Sequence, residues 1–245
     1  MRKLLILMVA LLVLPAQAGE AEIRQMLKAK FPQIKVEGVQ PASVAGLFEV
    51  RFQTPDGPQL LYTDTQANFF FVDGNLIESK SGRNLTAERL QKLTAIEFNS
   101  LPLDLAVKIQ RGNGKRVLAM FSDPYCPYCR RLEQSLLQID DITIYVFMYP
   151  VIRPDFADHS RAVWCSPDRA KAWLELAANE TPKVPAAGAG CANPVDKVLE
   201  FGRTLRVNGT PTLIFANGER AGGGMPLAAL RTKLDEAGRP PARKN

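Results

Sequence analysis

The feature that most constrains this chain is a dithiol at a strand-to-helix junction. Arg116 to Ser122 reads as a strand, Asp123-Pro124-Tyr125 as a turn, and Cys126-Pro127-Tyr128-Cys129 opens a helix expected over 127–138. Two cysteines separated by two residues can close a small ring on the first turn of a helix. Cys126 stands where unpaired backbone N–H groups and the helix dipole stabilise an anion, so its thiolate is favoured. The sequence places Cys126 in an exposed loop and Cys129 one turn inward, more buried. Pro127 cannot donate an N–H, which costs nothing in a first helical turn. Arg130 and Arg131 are carried away from Cys126 and read as solvated.

The following residues supply the layers around that junction. Ile142 to Tyr149 reads as a strand, and 157–165, 168–178 and 195–206 read as helices. Thr212 to Ala216 is a strand, Asn217-Gly218 a hairpin turn, and Leu227 to Glu236 a last helix. That order fits a thioredoxin-like α/β layer fold with a helical insertion. Before the third strand stands Gly209-Thr210-Pro211-Thr212. Alone, such a proline is an ordinary way to open a strand. Combined with C-x-x-C in a βαβ chain, it is expected to form a cis-proline loop facing the dithiol. A cis bond would turn the Thr210 backbone outward, to pair with an extended substrate chain.

Four cysteines and one histidine make up the reactive inventory. A single histidine, His159, excludes multi-histidine metal sites and most histidine-based catalysis. It reads as a solvated or capping side chain at an Asp-rich helix start. A zinc site would need Cys165 and Cys191 to complete it, and their separation of 26 residues is no knuckle spacing. No metal and no cofactor is expected. Cys165 and Cys191 have two readings. They form a structural bridge tying the segment TPKVPAAGAG to its domain, worth roughly 3–4 kcal/mol on loop entropy, or a second redox pair that shuttles electrons. Asp123 reads as a turn or cap residue, or as a proton relay. Trp164 and Trp173 occupy core positions.

Residues 1–18, MRKLLILMVALLVLPAQA, have a basic start, an apolar run of 11 residues and a small-x-small cleavage site ending at Ala18. This is the pattern of a cleaved secretory signal. The run is short of the roughly 20 residues a spanning helix needs, so no membrane insertion is expected. A secreted destination is one where disulfides persist. The charge balance, 31 basic against 25 acidic residues, includes no dense Lys/Arg run. It gives no footprint for nucleic acid.

The amino-terminal part has a different rhythm. Ile23, Met26, Leu27 and Phe31 share one helical face. Phe48, Val50 and Phe52 alternate with Glu49 and Arg51 as a half-buried strand, Leu60 to Thr63 is a second and Phe69 to Val72 a third. Residues 19–80 thus form a small unit, and about sixty residues bury little more than roughly 60% of their unfolded surface. Its unpaired edge suggests a second copy as partner. A helix over 84–98, capped by Asn84 or Thr86, reads as a linker spanning 81–100 to the catalytic domain at 101–245.

These motifs together resemble the periplasmic disulfide isomerases of the DsbC type, with DsbG as a close relative. The resemblance is carried by the leader, FSDPYCPYCRRLE at 121–133, WCSPDRAKAW at 164–173 with Cys191, VNGTPTLIFANG at 207–218, and PASVAGLFEV at 41–50. It implies a periplasmic homodimer held by cystatin-like amino-terminal domains, with misfolded disulfide-containing proteins as substrates. It implies Cys126 as nucleophile, Cys129 as resolving thiol, Thr210 and Pro211 as the substrate-binding loop, and a membrane thiol reductase of the DsbD type as electron donor. Pro127-Tyr128 matches the DsbG-like dipeptide, whereas the second cysteine pair matches DsbC. The alternatives it leaves are a reductase of sulfenylated cysteines and a holdase chaperone.

Overall fold

The computed structural model describes residues 15–178 and 190–238. Residues 1–14 of the expected leader, most of TPKVPAAGAG and the tail after Gly238 lie outside the described residues. The chain forms two compact units, the first running through Leu93 and the second starting at Thr94.

In the first unit, α1 (Pro15–Lys30) starts inside the expected leader and lies on a meander of β1 (Lys35–Pro41), β2 (Leu47–Thr54), β3 (Gly57–Asp64) and β4 (Phe70–Phe71), paired antiparallel in chain order. Ile23 and Leu27 of α1 pack on Phe48 and Val50 of β2 and Leu61 of β3. The opposite face of β2 is not solvated as the alternation suggested. Glu49 is buried, because Arg89 of α2 (Leu85–Thr94) binds its carboxylate at 3.0 Å. The Tyr62 hydroxyl likewise meets the Thr86 hydroxyl at 2.8 Å. Asn84 is the residue that caps α2, its Oδ1 accepting the Ala87 N–H at 2.9 Å. Thr86 is instead buried in this contact. The third strand shrinks from Phe69–Val72 to Phe70–Phe71, and Phe69, Phe71 and Val72 stand exposed.

The helix expected to reach residue 98 ends at Thr94, because the Ile96 N–H turns to the Gly218 carbonyl at 2.9 Å. The second unit then runs β5 (Val107–Arg111), β6 (Arg116–Ser122), α3 (Pro127–Leu136), β7 (Ile142–Met148), α4 (Ala157–Trp164), α5 (Arg169–Ala178), α6 (Val195–Thr204), β8 (Thr212–Phe215), β9 (Arg220–Gly222) and α7 (Leu227–Ala237). The sheet order is β5-β7-β6-β8-β9, with only β6 and β7 parallel. A parallel pair needs a long crossover, and here it contains α3. Both sheet faces are covered, which is why β7 reads as an almost unbroken apolar run. Leu118 and Met120 of β6 point to a core with Leu132 and Leu136 of α3, Trp173 of α5 and Leu230 of α7. Ala119 and Phe121 point the other way, to Phe147, Tyr149 and Val198. The turn at Asn217-Gly218 is one residue longer than a two-residue hairpin. Phe215 and Glu219 pair around Ala216, Asn217 and Gly218, with Gly218 at φ +84°.

Candidate active site

The site is built where β6 stops. Asp123 is fully buried, and its carboxylate accepts two backbone N–H groups, Tyr125 at 2.8 Å and Ile152 at 2.7 Å. Both oxygens are engaged in shaping loops, so Asp123 is a turn residue. The turn closes when the Cys126 N–H meets the Asp123 carbonyl at 3.1 Å. Cys126 is then the N-cap of α3, with extended backbone, and its carbonyl accepts the Arg130 N–H at 3.1 Å. Pro127 follows at the position where no donor is needed.

Cys126 and Cys129 are free thiols. Both residues are 2% exposed, so the expected contrast of an exposed and a buried cysteine is absent. They differ in surroundings. The Cys126 Sγ–H points at the carbonyl oxygen of Thr210, 3.2 Å away. Burial pushes the Cys129 thiol up to about 12, against the opposing pull of the Ser122 hydroxyl, the Asp123 backbone and the Thr210 hydroxyl. The Thr210–Pro211 peptide bond is cis. The Thr210 carbonyl, expected to stand free for substrate, is occupied by the Cys126 thiol.

The side chains around the dithiol correct several expectations. Arg130 is only half-buried, but it is not free in solvent. Its Nε donates to the Pro124 carbonyl at 2.8 Å and its guanidinium lies 5.8 Å from the Tyr125 ring centre. Arg131 is exposed but covers Tyr128 at 4.6 Å, and Tyr128 itself is 56% exposed beside the thiols. His159 is neither a cap nor free. It pairs through Nδ1 with the Tyr125 hydroxyl, in a cluster where Tyr125 stacks on Phe156 at 4.9 Å. Of the two tryptophans only Trp173 is fully buried, while Trp164 is half-buried under Arg169 at 3.7 Å.

Glu133 went unnoticed in the sequence. It sits one turn after Cys129, in the buried stripe Cys129, Leu132, Glu133 and Leu136. A carboxylate inside such a stripe was the available signal. Its Oε1 accepts the Trp173 indole N–H at 2.7 Å, and burial pushes its carboxyl up to about 7. Arg111 of β5 donates to the carbonyls of Leu136 and Ile139, satisfying the end of α3. Cys165 is bonded to Cys191 with Cα atoms 6.1 Å apart, distant in sequence from the dithiol. Among the described residues, no group of three or more metal-ligating side chains converges.

Known proteins match both units. Residues 103–238 match the family profile described as a thioredoxin-like domain, and residues 14–87 match the disulfide bond isomerase protein N-terminal domain. The probable thiol:disulfide interchange protein DsbC of Bordetella pertussis is 40% identical over 224 residues, covering 89% of this chain and 76% of its own length. The thiol:disulfide interchange protein DsbC of Escherichia coli is 29% identical over 231 residues, covering 90% and 89%. The crystal structure of a disulfide interchange protein from Neisseria gonorrhoeae aligns over 57% of this chain and all of that chain, with 40% identity and a TM-score of 0.53. With the dithiol at the head of α3, a thioredoxin-like second unit and a matching amino-terminal unit, the chain belongs to the DsbC family of thiol:disulfide interchange proteins.

Proposed function

We propose that this protein is a disulfide isomerase of the periplasm, reached through cleavage after Ala18, and that it works as a homodimer joined through the amino-terminal unit. The observation that carries the chemistry is the Cys126 thiol, free of Cys129 and seated at the head of α3 against the Thr210 carbonyl. The Cys126 thiolate attacks a non-native disulfide and forms a mixed disulfide, releasing one substrate thiol. Ionisation removes the donor that held the Thr210 carbonyl, so that carbonyl becomes free for a substrate N–H as the substrate arrives. A substrate thiol then attacks its own mixed disulfide and leaves the enzyme reduced. Where rearrangement stalls, Cys129 attacks Cys126 Sγ, the substrate departs reduced, and a membrane reductase of the DsbD type restores the dithiol. Cys165–Cys191 stays bridged throughout.

The dimer is supported by the exposed Phe69, Phe71 and Val72 beside the short edge strand β4. Dimerisation supplies the hold on a substrate while its own thiols rearrange. The test compares the full protein with a fragment starting at Thr94, which keeps two cores of its own. The fragment is expected to be a monomer that still reduces insulin but no longer refolds scrambled ribonuclease efficiently. A monomeric fragment that isomerises as well as the full protein would overturn the role given to the amino-terminal unit.

A further inference from the structure

Two hydroxyls at the dithiol have no partner. Ser122 Oγ, in a residue 1% exposed at the end of β6, and Thr210 Oγ1, beside Pro211, are sealed from solvent and make no hydrogen bond among the described residues. An unpaired buried hydroxyl costs about 1–3 kcal/mol, and native interiors retain few of them. Both hydroxyls favour the ionised form of Cys129, against the burial that opposes it.

Ser122 is the better placed of the two for a fixed task. Its backbone is held in β6 opposite Met148 of β7, and its carbonyl accepts the Tyr149 N–H at 2.8 Å. Cys129 needs such a neighbour, since its surroundings oppose ionisation. A rigid donor aimed at the place where charge develops costs no reorganisation when the charge appears.

We propose that Ser122 is a catalytic residue of the resolving step, its Oγ–H idle in the resting dithiol and donating to Cys129 Sγ as that sulfur loses its proton. This rests on the reading of Cys129 as the resolving thiol. In the step, the Cys129 thiolate attacks Cys126 Sγ of the mixed disulfide. The Cys126–Cys129 bond forms, the bond from Cys126 to the substrate sulfur breaks, and two electrons pass to the substrate. The departing substrate thiolate takes up, through solvent, the proton that Cys129 gave up. The hydroxyl keeps its own proton and ends unpaired again in the disulfide form.

The test uses the full-length reduced protein and a nitrobenzoate disulfide whose released thiolate is coloured. Attack by Cys126 releases one coloured thiolate, and attack by Cys129 releases the second. Cys129→Ala is expected to keep the first release and lose the second. If it loses neither, the resolving role of Cys129 fails, whatever Ser122 does. Given a resolving Cys129, Ser122→Ala should slow the second release at least about tenfold relative to the first, the size of a hydrogen bond to a charged group. Its pH profile should move to higher pH. Ser122→Thr, which keeps a hydroxyl, should recover most of the rate. Because Ser122→Ala removes an unpaired group, the reduced protein should be as stable as the parent or more so. A second release unchanged at every pH overturns the proposal, as does a Ser122→Ala protein that is destabilised and slowed equally in both releases.

Discussion

The Cys126 sulfur donates to the Thr210 carbonyl across 3.2 Å, joining residues 84 positions apart in the chain. This bond ties the head of α3 to the loop before β8. It also exists only while Cys126 is a thiol. Cys129, one turn further, depends on different neighbours, so the two sulfurs are chemically separable.

That separation gives the first prediction. With its thiol pushed up to about 12, Cys129 should alkylate far more slowly than a free thiol of pKa about 8.5. In Cys126→Ala, iodoacetamide at about pH 8 should modify Cys129 at least tenfold more slowly than a model thiol. The same variant should lose isomerisation completely. Mass spectrometry of timed aliquots reads the first outcome, and ribonuclease refolding the second. Rapid labelling of Cys129 in the folded protein would contradict the account of its burial.

Glu133 gives a pH dependence with a definite sign. Its folded pKa of about 7 lies above the roughly 4.3 of an exposed glutamate. Between those values the folded state keeps a proton that the unfolded state has lost. Stability therefore falls as pH rises through that window and remains lower above it. Glu133→Gln keeps an acceptor for Trp173 Nε1 and abolishes the titration. It should be more stable than the parent by about 3 kcal/mol at about pH 8, with the gain vanishing towards pH 4. Denaturant unfolding at both pH values decides it.

The bridged pair should matter to stability and not to exchange. Cys165 and Cys191 close a loop with a sequence separation of 26, for which chain entropy predicts about 3–4 kcal/mol. Replacing both by alanine should lower the unfolding midpoint accordingly. Exchange at Cys126 should persist below that midpoint. Peptide mapping of the parent should find the pair bridged even after mild reductant has opened a Cys126–Cys129 disulfide. Loss of exchange in a folded double variant would favour the second-redox-pair reading instead.

A glycine in α6 is there for space. A Cβ on Gly202 would lie 2.3 Å from the Tyr149 ring. That ring is fixed, with its hydroxyl donating to the Val207 carbonyl at 3.2 Å and its face packed edge-on against Phe121 at 5.5 Å. Alanine normally stabilises a helix by about 1 kcal/mol over glycine. Here overpacking, about 1–3 kcal/mol, should outweigh that gain and leave Gly202→Ala less stable. Combining it with Tyr149→Leu should recover part of the loss, a coupling that a double-mutant cycle measures.

The sequence disclosed the second unit well because its signals are local. An apolar run, a C-x-x-C and a Thr-Pro each mark their own position, and β6 falls on the expected Arg116–Ser122. It disclosed β1 poorly for a physical reason. A bulge between Val36 and Gly38 inserts one residue, so Val36 and Val39 face the same side although they are three apart. The period of two that announces a strand is broken there. β5 did keep that period, with Val107 and Ile109 buried and Lys108 exposed, but five residues are a short stretch to read. Side-chain partners across long separations were the least legible. Nothing near Glu49 announces Arg89, and nothing near Tyr125 announces His159.

The two backbone bonds of Asp123 have a consequence for what the enzyme can grip. One carboxylate sets the loop that presents Cys126 and also the loop that presents Val151 and Ile152, which stand 37% and 48% exposed. The loop of Cys126 and the loop of these apolar side chains are therefore tied to one buried carboxylate. A substrate chain resting on Val151 and Ile152 would meet Cys126 at a separation governed by the single Asp123 carboxylate rather than by either loop alone.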